Sequence, residues 1–143
     1  MSLSKQHLSS HTQPLHVDVA ALGQALSATC PEVAFAFLMG SSKDGCVAVG
    51  SDIDVALYVE GKASWDLYTR VEEVVARFAS GAHCDAGLLK NAEPVYRYEA
   101  LKGRLLFARD HEAYVRFFSL TCREYEWQLA DYERQYRYRM EAA

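Results

Sequence analysis

The sequence lacks three features that define large classes of protein. Its four cysteines stand apart, with no C-x-x-C pair and no cysteine and histidine cluster at zinc-site spacing, which argues against a zinc module. No apolar run approaches the length that crosses a bilayer, and the start "MSLSKQHLSSHTQPLH" has no apolar signal-peptide core. We therefore expect a cytoplasmic protein with reduced thiols and no membrane partner.

The third feature that the sequence lacks is an excess of positive charge. The chain has 15 lysines and arginines against 19 aspartates and glutamates, so its formal net charge is -4. General recognition of DNA or RNA depends on basic surface, so we do not expect a nucleic-acid partner. Half of the residues are hydrophobic, which is the proportion of an ordinary globular protein.

The length favours one domain, because 143 residues can bury a single core but not several. Residues 1 to 16 are polar and show no hydrophobic periodicity, so we interpret them as a flexible N-terminal tail. Residues 17 to 143 then form the single domain.

Apolar periodicity predicts four helices and four strands. Apolar residues at helical spacing begin after Asp18 and again after Ser64. A third, short helix is expected between Pro94 and Gly103, and a long helix spans residues 110 to 140. Short apolar runs typical of buried strands are "EVAFAFLM", "DVALYV", "HCDAGLL" and "RLLFA". This order predicts an α+β domain, in which a small mixed β-sheet has helices packed mainly on one face.

The last helix carries an apolar and aromatic stripe. Asp110 is its expected N-cap, and the following side chains fall on one helical face: Tyr114, Phe118, Cys122, Tyr125, Leu129, Tyr132, Tyr136 and Met140. Interleaved arginines and tyrosines can also contact RNA. The helical spacing favours a face that packs on the core or on a partner.

Two aspartates stand where an apolar strand begins. In a strand, residues two apart point to the same face, so Asp52 and Asp54 would present carboxylates about 6 to 7 Å apart. Like charges held this close need a cation, and Mg²⁺ binds one or two carboxylates together with substrate phosphates. The plainer interpretation, a capping or turn role for a Ser-Asp sequence, is the alternative.

A glycine-rich loop precedes the aspartates. Gly40 follows a strand and lets backbone N–H groups approach an anion, and Ser41 offers a hydroxyl donor. The loop does not have the Walker spacing, and no G-x-G-x-x-G follows a strand. A different type of phosphate-binding turn, or an ordinary hairpin turn, is therefore expected.

These motifs together resemble those of the nucleotidyltransferase superfamily related to DNA polymerase β. Gly40-Ser41, ten further residues and then Asp52-Ile53-Asp54 at the head of an apolar strand carry the resemblance, which covers residues 33 to 108. In size and layout the chain is most similar to the minimal nucleotidyltransferases, the antitoxin half of HEPN/MNT toxin–antitoxin pairs. The resemblance implies a third acid, Asp85 in "HCDAGLL". It also implies that all three aspartates are catalytic and bind Mg²⁺, while Gly40 and Ser41 hold the terminal phosphates of ATP.

The implied activity is transfer of AMP from ATP to a tyrosine hydroxyl of a HEPN ribonuclease toxin, which silences the toxin. Close relatives often read G-S-x-A-R-G in the loop, whereas this chain has Lys43 and Asp44 where alanine and arginine are common. Asp44 could weaken phosphate binding. A binding-only antitoxin and a stand-alone small-molecule nucleotidyltransferase, whose acceptor pocket could lie at a homodimer interface, remain as alternatives.

Overall fold

The computed structural model describes residues 9 to 141. The elements in chain order are β1 (Leu15–His16), α1 (Val19–Thr29), β2 (Val33–Met39), a 3₁₀ turn (Gly40–Ser42), β3 (Cys46–Val47), β4 (Ile53–Val59), α2 (Leu67–Phe78), β5 (Cys84–Leu88), α3 (Pro94–Lys102), β6 (Arg104–Ala108) and α4 (His111–Glu141). No helix within this range is both long and apolar enough to cross a membrane. All four cysteines fall in this range and are free thiols.

Four strands form a mixed sheet in the order β5-β4-β2-β6. β2 pairs antiparallel with β4 and with β6, while β4 and β5 are parallel. The parallel pair is possible because α2 carries the chain back between the two strands. β1 and β3 form a separate two-stranded antiparallel ladder. The predicted α+β class with a small mixed sheet is confirmed.

Helices cover both faces of this sheet, whereas we expected them mainly on one. Val33, Ala36 and Leu38 of β2 join the core cluster that includes α1 and α2. Phe35 and Phe37 of the same strand join a second cluster with α3 and the start of α4. Because successive side chains of a strand point to opposite faces, a strand that is apolar throughout needs cover on both.

Most helix boundaries follow the predicted caps. The Asp18 carboxylate accepts from the Ala21 N–H and the Asp110 carboxylate from the Ala113 N–H, each at 3.1 Å. The prediction for α2 was wrong at its start, because Ser64 does not cap it. Its hydroxyl instead donates to Asp66, and the helix begins at Leu67. Trp65, which fits the apolar stripe in sequence, is 97% exposed.

The buried face of α4 is shifted by one residue from the prediction. Ala113, Phe117 and Thr121 are buried, whereas Phe118 is 45% exposed. From Glu126 to Glu141 every residue is exposed. The second half of the predicted stripe therefore has no cover within the described part of the chain.

The predicted N-terminal tail is corrected for residues 9 to 16. Ser9 and His11 are buried, the Ser10 N–H donates to the Gly81 carbonyl at 2.7 Å, and β1 pairs with β3. This segment is polar in composition but has hydrogen-bond partners on the domain, which the sequence pattern does not reveal. Residues 1 to 8 lie outside the described part of the chain.

Candidate active site

Two of the predicted acids lie side by side on neighbouring strands. Asp54 is the second residue of β4, Asp85 is the second residue of β5, and the two are register partners in the parallel ladder. Directly paired residues point to the same face of a sheet, with strands about 5 Å apart. Both side chains line one open cavity of about 570 Å³. The fold thus brings together carboxylates that are 31 positions apart in the sequence.

Asp52 occupies a different position from the other two. It precedes β4, which starts at Ile53, and its Oδ1 accepts a hydrogen bond of 2.6 Å from the Ser9 hydroxyl. Among residues 9 to 141, no group of three or more histidine, cysteine, aspartate or glutamate side chains is arranged to hold a metal ion. The structure therefore pairs Asp54 with Asp85 and places Asp52 at the entry to the same strand.

The predicted phosphate loop begins directly beside Asp54. Gly40 opens the 3₁₀ turn that follows β2 and has a φ of +73°, a conformation that favours glycine. A Cβ on Gly40 would lie 3.2 Å from the Asp54 Oδ2, so the missing side chain also keeps the carboxylate uncrowded. Ser41 follows on the exposed side of the turn. An exposed turn of small residues beside a carboxylate suits the phosphate end of a metal-bound nucleotide.

Two groups near the cavity, the buried Cys84 thiol and the partly buried Tyr96 hydroxyl, have raised pKa values. Burial raises the pKa of the Cys84 thiol to about 12, and Glu72, Asp85 and Asp54 add to this effect. Burial also raises the pKa of the Tyr96 hydroxyl, with further contributions from Asp54 and Asp85. Such an environment favours binding of a cation. Asp54 and Asp85 fit the pair of oxygen ligands that Mg²⁺ takes from a protein when phosphates supply others.

Sequence reasoning missed Tyr96 and Gly87. Tyr96 on α3 lines the cavity, and its hydroxyl packs so close to β5 that a Cβ on Gly87 would lie 2.2 Å from the tyrosine oxygen. Strand alternation could have pointed to Gly87, because it lies two residues after Asp85 and so on the same face. No pattern distinguishes Tyr96 from Tyr98 in the sequence of α3.

A glycine turn that faces paired carboxylates at one edge of a small mixed sheet defines a candidate nucleotidyl-transfer site. The family model for "Polymerase beta, Nucleotidyltransferase" matches residues 23 to 112, and the chain belongs to this family. The match runs from the middle of α1 to the first turn of α4 and so includes every predicted site residue. No curated protein matches the sequence.

Solved structures with the same fold come from toxin–antitoxin complexes. A mutant of the toxin–antitoxin MntA–HpeT aligns with a TM-score of 0.64 and 18% identity, over 80% of this chain and 92% of that one. A toxin–antitoxin with AMP-PNP gives a TM-score of 0.63 and 19% identity over the same shares. A tri-AMPylated Shewanella oneidensis HEPN toxin in complex with MNT antitoxin gives 0.57 and 18%, over 79% of this chain and 87% of that one. At these identities the likeness is one of fold.

Proposed function

We propose that this protein is a magnesium-dependent nucleotidyltransferase that transfers AMP from ATP to a tyrosine hydroxyl of a HEPN toxin, and so acts as an antitoxin. The observation that carries the proposal is the pairing of Asp54 with Asp85 beside the Gly40 turn. Membership of the nucleotidyltransferase family supports the reaction class. The relatives solved with AMP-PNP and with a tri-AMPylated HEPN toxin support the donor and the acceptor.

Each site residue has a role in this proposal. Asp54 and Asp85 would hold Mg²⁺, with Asp52 as a third ligand from the entry to β4, while backbone N–H groups at Gly40 and the Ser41 hydroxyl would bind the terminal phosphates of ATP. Bound Mg²⁺ supplies neutralisation of phosphate charge during transfer. The contribution of the protein is to hold these groups in fixed positions, because little other chemistry is required of it.

In the transfer step the tyrosine oxygen attacks the α-phosphorus in line with the leaving group. A new bond forms between that oxygen and the α-phosphorus, and the bond from the α-phosphorus to the oxygen bridging to the β-phosphorus breaks. Pyrophosphate leaves with that bridging oxygen. The hydroxyl proton passes to the neighbouring Asp85 carboxylate and then to water.

The acceptor comes from a second protein in this proposal. The cavity at Asp54 and Asp85 is open, and only α4 follows β6 in the described chain. The second half of α4 is exposed on all sides, so it does not wall off an acceptor pocket. A protein hydroxyl carried on its own surface can enter such an open site.

The direct test is to incubate the protein with a cognate HEPN protein, ATP and Mg²⁺ and to measure intact masses. We expect adenylate adducts on the partner and none when EDTA replaces Mg²⁺. Changing the acceptor tyrosine of the partner to phenylalanine should remove the adduct. If the partner bound the wild-type protein but gained no adenylate with ATP and Mg²⁺, the proposal would be contradicted.

A binding-only antitoxin is the second candidate. Asp44 lies exposed in the turn that should bind phosphate, and its charge opposes that of a nucleotide. In this case the complex would form and neutralise the toxin equally well with Asp54→Asn as with wild type. Loss of neutralisation in that variant, with the complex intact, favours the enzymatic antitoxin.

Replacing Gly40 with alanine should weaken binding of Mg²⁺ and ATP by on the order of 10-fold, because the new Cβ would crowd Asp54 Oδ2. It should also lower the free energy of unfolding by about 1 to 2 kcal/mol, because φ is positive at this position. Titration calorimetry with AMP-PNP and thermal unfolding measure the two effects.

Gly50→Ala is the matched control for Gly40→Ala. Gly50 has the same φ of +73°, but a Cβ there would meet nothing within 4 Å. We expect a similar loss of stability with unchanged nucleotide affinity. Equal affinity losses in both variants would show that backbone strain alone, and not the contact with Asp54, is responsible.

A further inference from the structure

We propose that Ser9 is a positioning residue of the magnesium site, which orients Asp52 through a direct hydrogen bond; this inference rests on the proposed function. Ser9 is only 9% exposed. Its hydroxyl oxygen lies 2.6 Å from Asp52 Oδ1 and 3.2 Å from the Ser51 carbonyl. A hydroxyl has one proton, so the shorter contact to the charged carboxylate receives it.

Ser9 also connects the two segments that carry the acids. Its hydroxyl accepts a hydrogen bond of 2.9 Å from the His83 N–H, and His83 directly precedes β5, which bears Asp85. The His83 carbonyl in turn accepts from the Ile53 N–H at 2.8 Å, at the first residue of β4. Ser9 therefore bridges the entries of both strands by using its hydroxyl as donor and acceptor together.

The two residues that follow Ser9 are held by contacts with the domain. The His11 Nε2 lies 2.6 Å from the Ala48 carbonyl, and its ring is buried. The Ser10 N–H donates to the Gly81 carbonyl. Gly81 has a φ of +89°, and a Cβ there would lie 3.3 Å from the backbone nitrogen of His11. These contacts fix the backbone, so the Ser9 hydroxyl is pre-organised for the aspartate.

Such a bond has a specific consequence for a metal ligand. A carboxylate has two oxygens, so a hydrogen bond to Oδ1 fixes the rotamer of Asp52 while Oδ2 can still bind a cation. Partners that orient a ligand in this way typically contribute 10- to 100-fold to metal affinity. Asp52 precedes β4, so its backbone takes no part in the ladder with β5. The Ser9 hydrogen bond constrains its carboxylate directly.

The test compares Ser9→Ala, Ser9→Thr and the neighbouring Ser10→Ala. We expect Ser9→Ala to raise the Mg²⁺ concentration for half-maximal AMP-PNP binding by about 10-fold or more, as measured by calorimetry. Ser9→Thr keeps a hydroxyl and should restore most of the affinity. Ser10 lies in the same segment, but its hydroxyl reaches only the Gly81 carbonyl at 3.4 Å, so Ser10→Ala should match wild type.

The outcomes separate this inference from the proposed function. An unchanged Mg²⁺ requirement in Ser9→Ala, with wild type binding AMP-PNP in a Mg²⁺-dependent manner, overturns the inference alone. A loss of AMP-PNP binding that excess Mg²⁺ does not reverse, accompanied by a large fall in melting temperature, also overturns it, because Ser9 would then be structural. Absence of Mg²⁺-dependent binding by wild type overturns the proposed function and the inference with it.

Discussion

Replacing Asp54 with asparagine should lower the rate of AMP transfer by on the order of 10³-fold, which in practice abolishes it. Asp54 is connected with three features of the candidate site. It pairs with Asp85 across the ladder, lies beside Gly40 and lines the cavity. Asparagine has nearly the same shape but no charge, so it cannot neutralise a divalent cation. The measurement is the rate at which adenylate appears on the partner by intact mass.

The same variant should stay folded, because asparagine has nearly the same shape as aspartate. Thermal unfolding without Mg²⁺ should therefore show a cooperative transition, as for wild type. A variant that is inactive because it is unfolded would show no such transition.

Glu60→Gln is the control for charge removal near the same strand. Glu60 directly follows β4 at the end away from Asp54, and its side chain is exposed. We expect wild-type transfer rates for this variant. If the Asp54→Asn enzyme retained more than about a tenth of wild-type activity, the proposed role of Asp54 as a Mg²⁺ ligand would be wrong, since metal-bound charge is worth several kcal/mol in phosphoryl transfer.

The strands could be predicted because apolar runs are local signals, and they indicate β2, β4, β5 and β6. Asp85 was predicted only from the family resemblance, because the parallel pairing of β4 with β5 that places it beside Asp54 joins distant parts of the chain. The prediction for Asp52 assumed that the strand already includes this residue, whereas β4 begins at Ile53, and alternation within a strand says nothing about a residue one position before it. Its partner, Ser9, is 43 positions away, and no periodicity connects the two.

The contacts of residues 9 to 16 were unpredictable for a related reason. Composition separates apolar from polar segments, but a polar segment can still be ordered when its backbone and side chains find fixed partners. Here the partners are the Gly81 carbonyl, the Ala48 carbonyl and the two-residue ladder to β3. Each is a hydrogen bond between distant parts of the chain. Hydrophobic patterning carries no signal for such bonds.

The face of α4 that packs on the sheet gives the largest expected effect on stability. Phe117→Ala should lower the free energy of unfolding by about 3 to 5 kcal/mol. Phe117 is 6% exposed, and its ring lies 5.2 Å from that of Phe35 and 5.7 Å from that of Tyr58, centre to centre. Truncation would leave a cavity in this aromatic cluster. Urea unfolding followed by circular dichroism measures the change.

Phe118→Ala tests the one-residue shift between the predicted and observed faces of α4. The two phenylalanines are adjacent and chemically identical, so helix propensity and the truncated volume cancel in the comparison. Phe118 is 45% exposed and has one ring neighbour, Tyr114, at 6.2 Å, so we expect a loss below about 1 kcal/mol. If Phe118→Ala were instead the more damaging change, the stripe read from sequence would be the buried one. α4 would then be rotated by about 100°, which would place Phe117 in solvent and bring Phe118 onto the sheet.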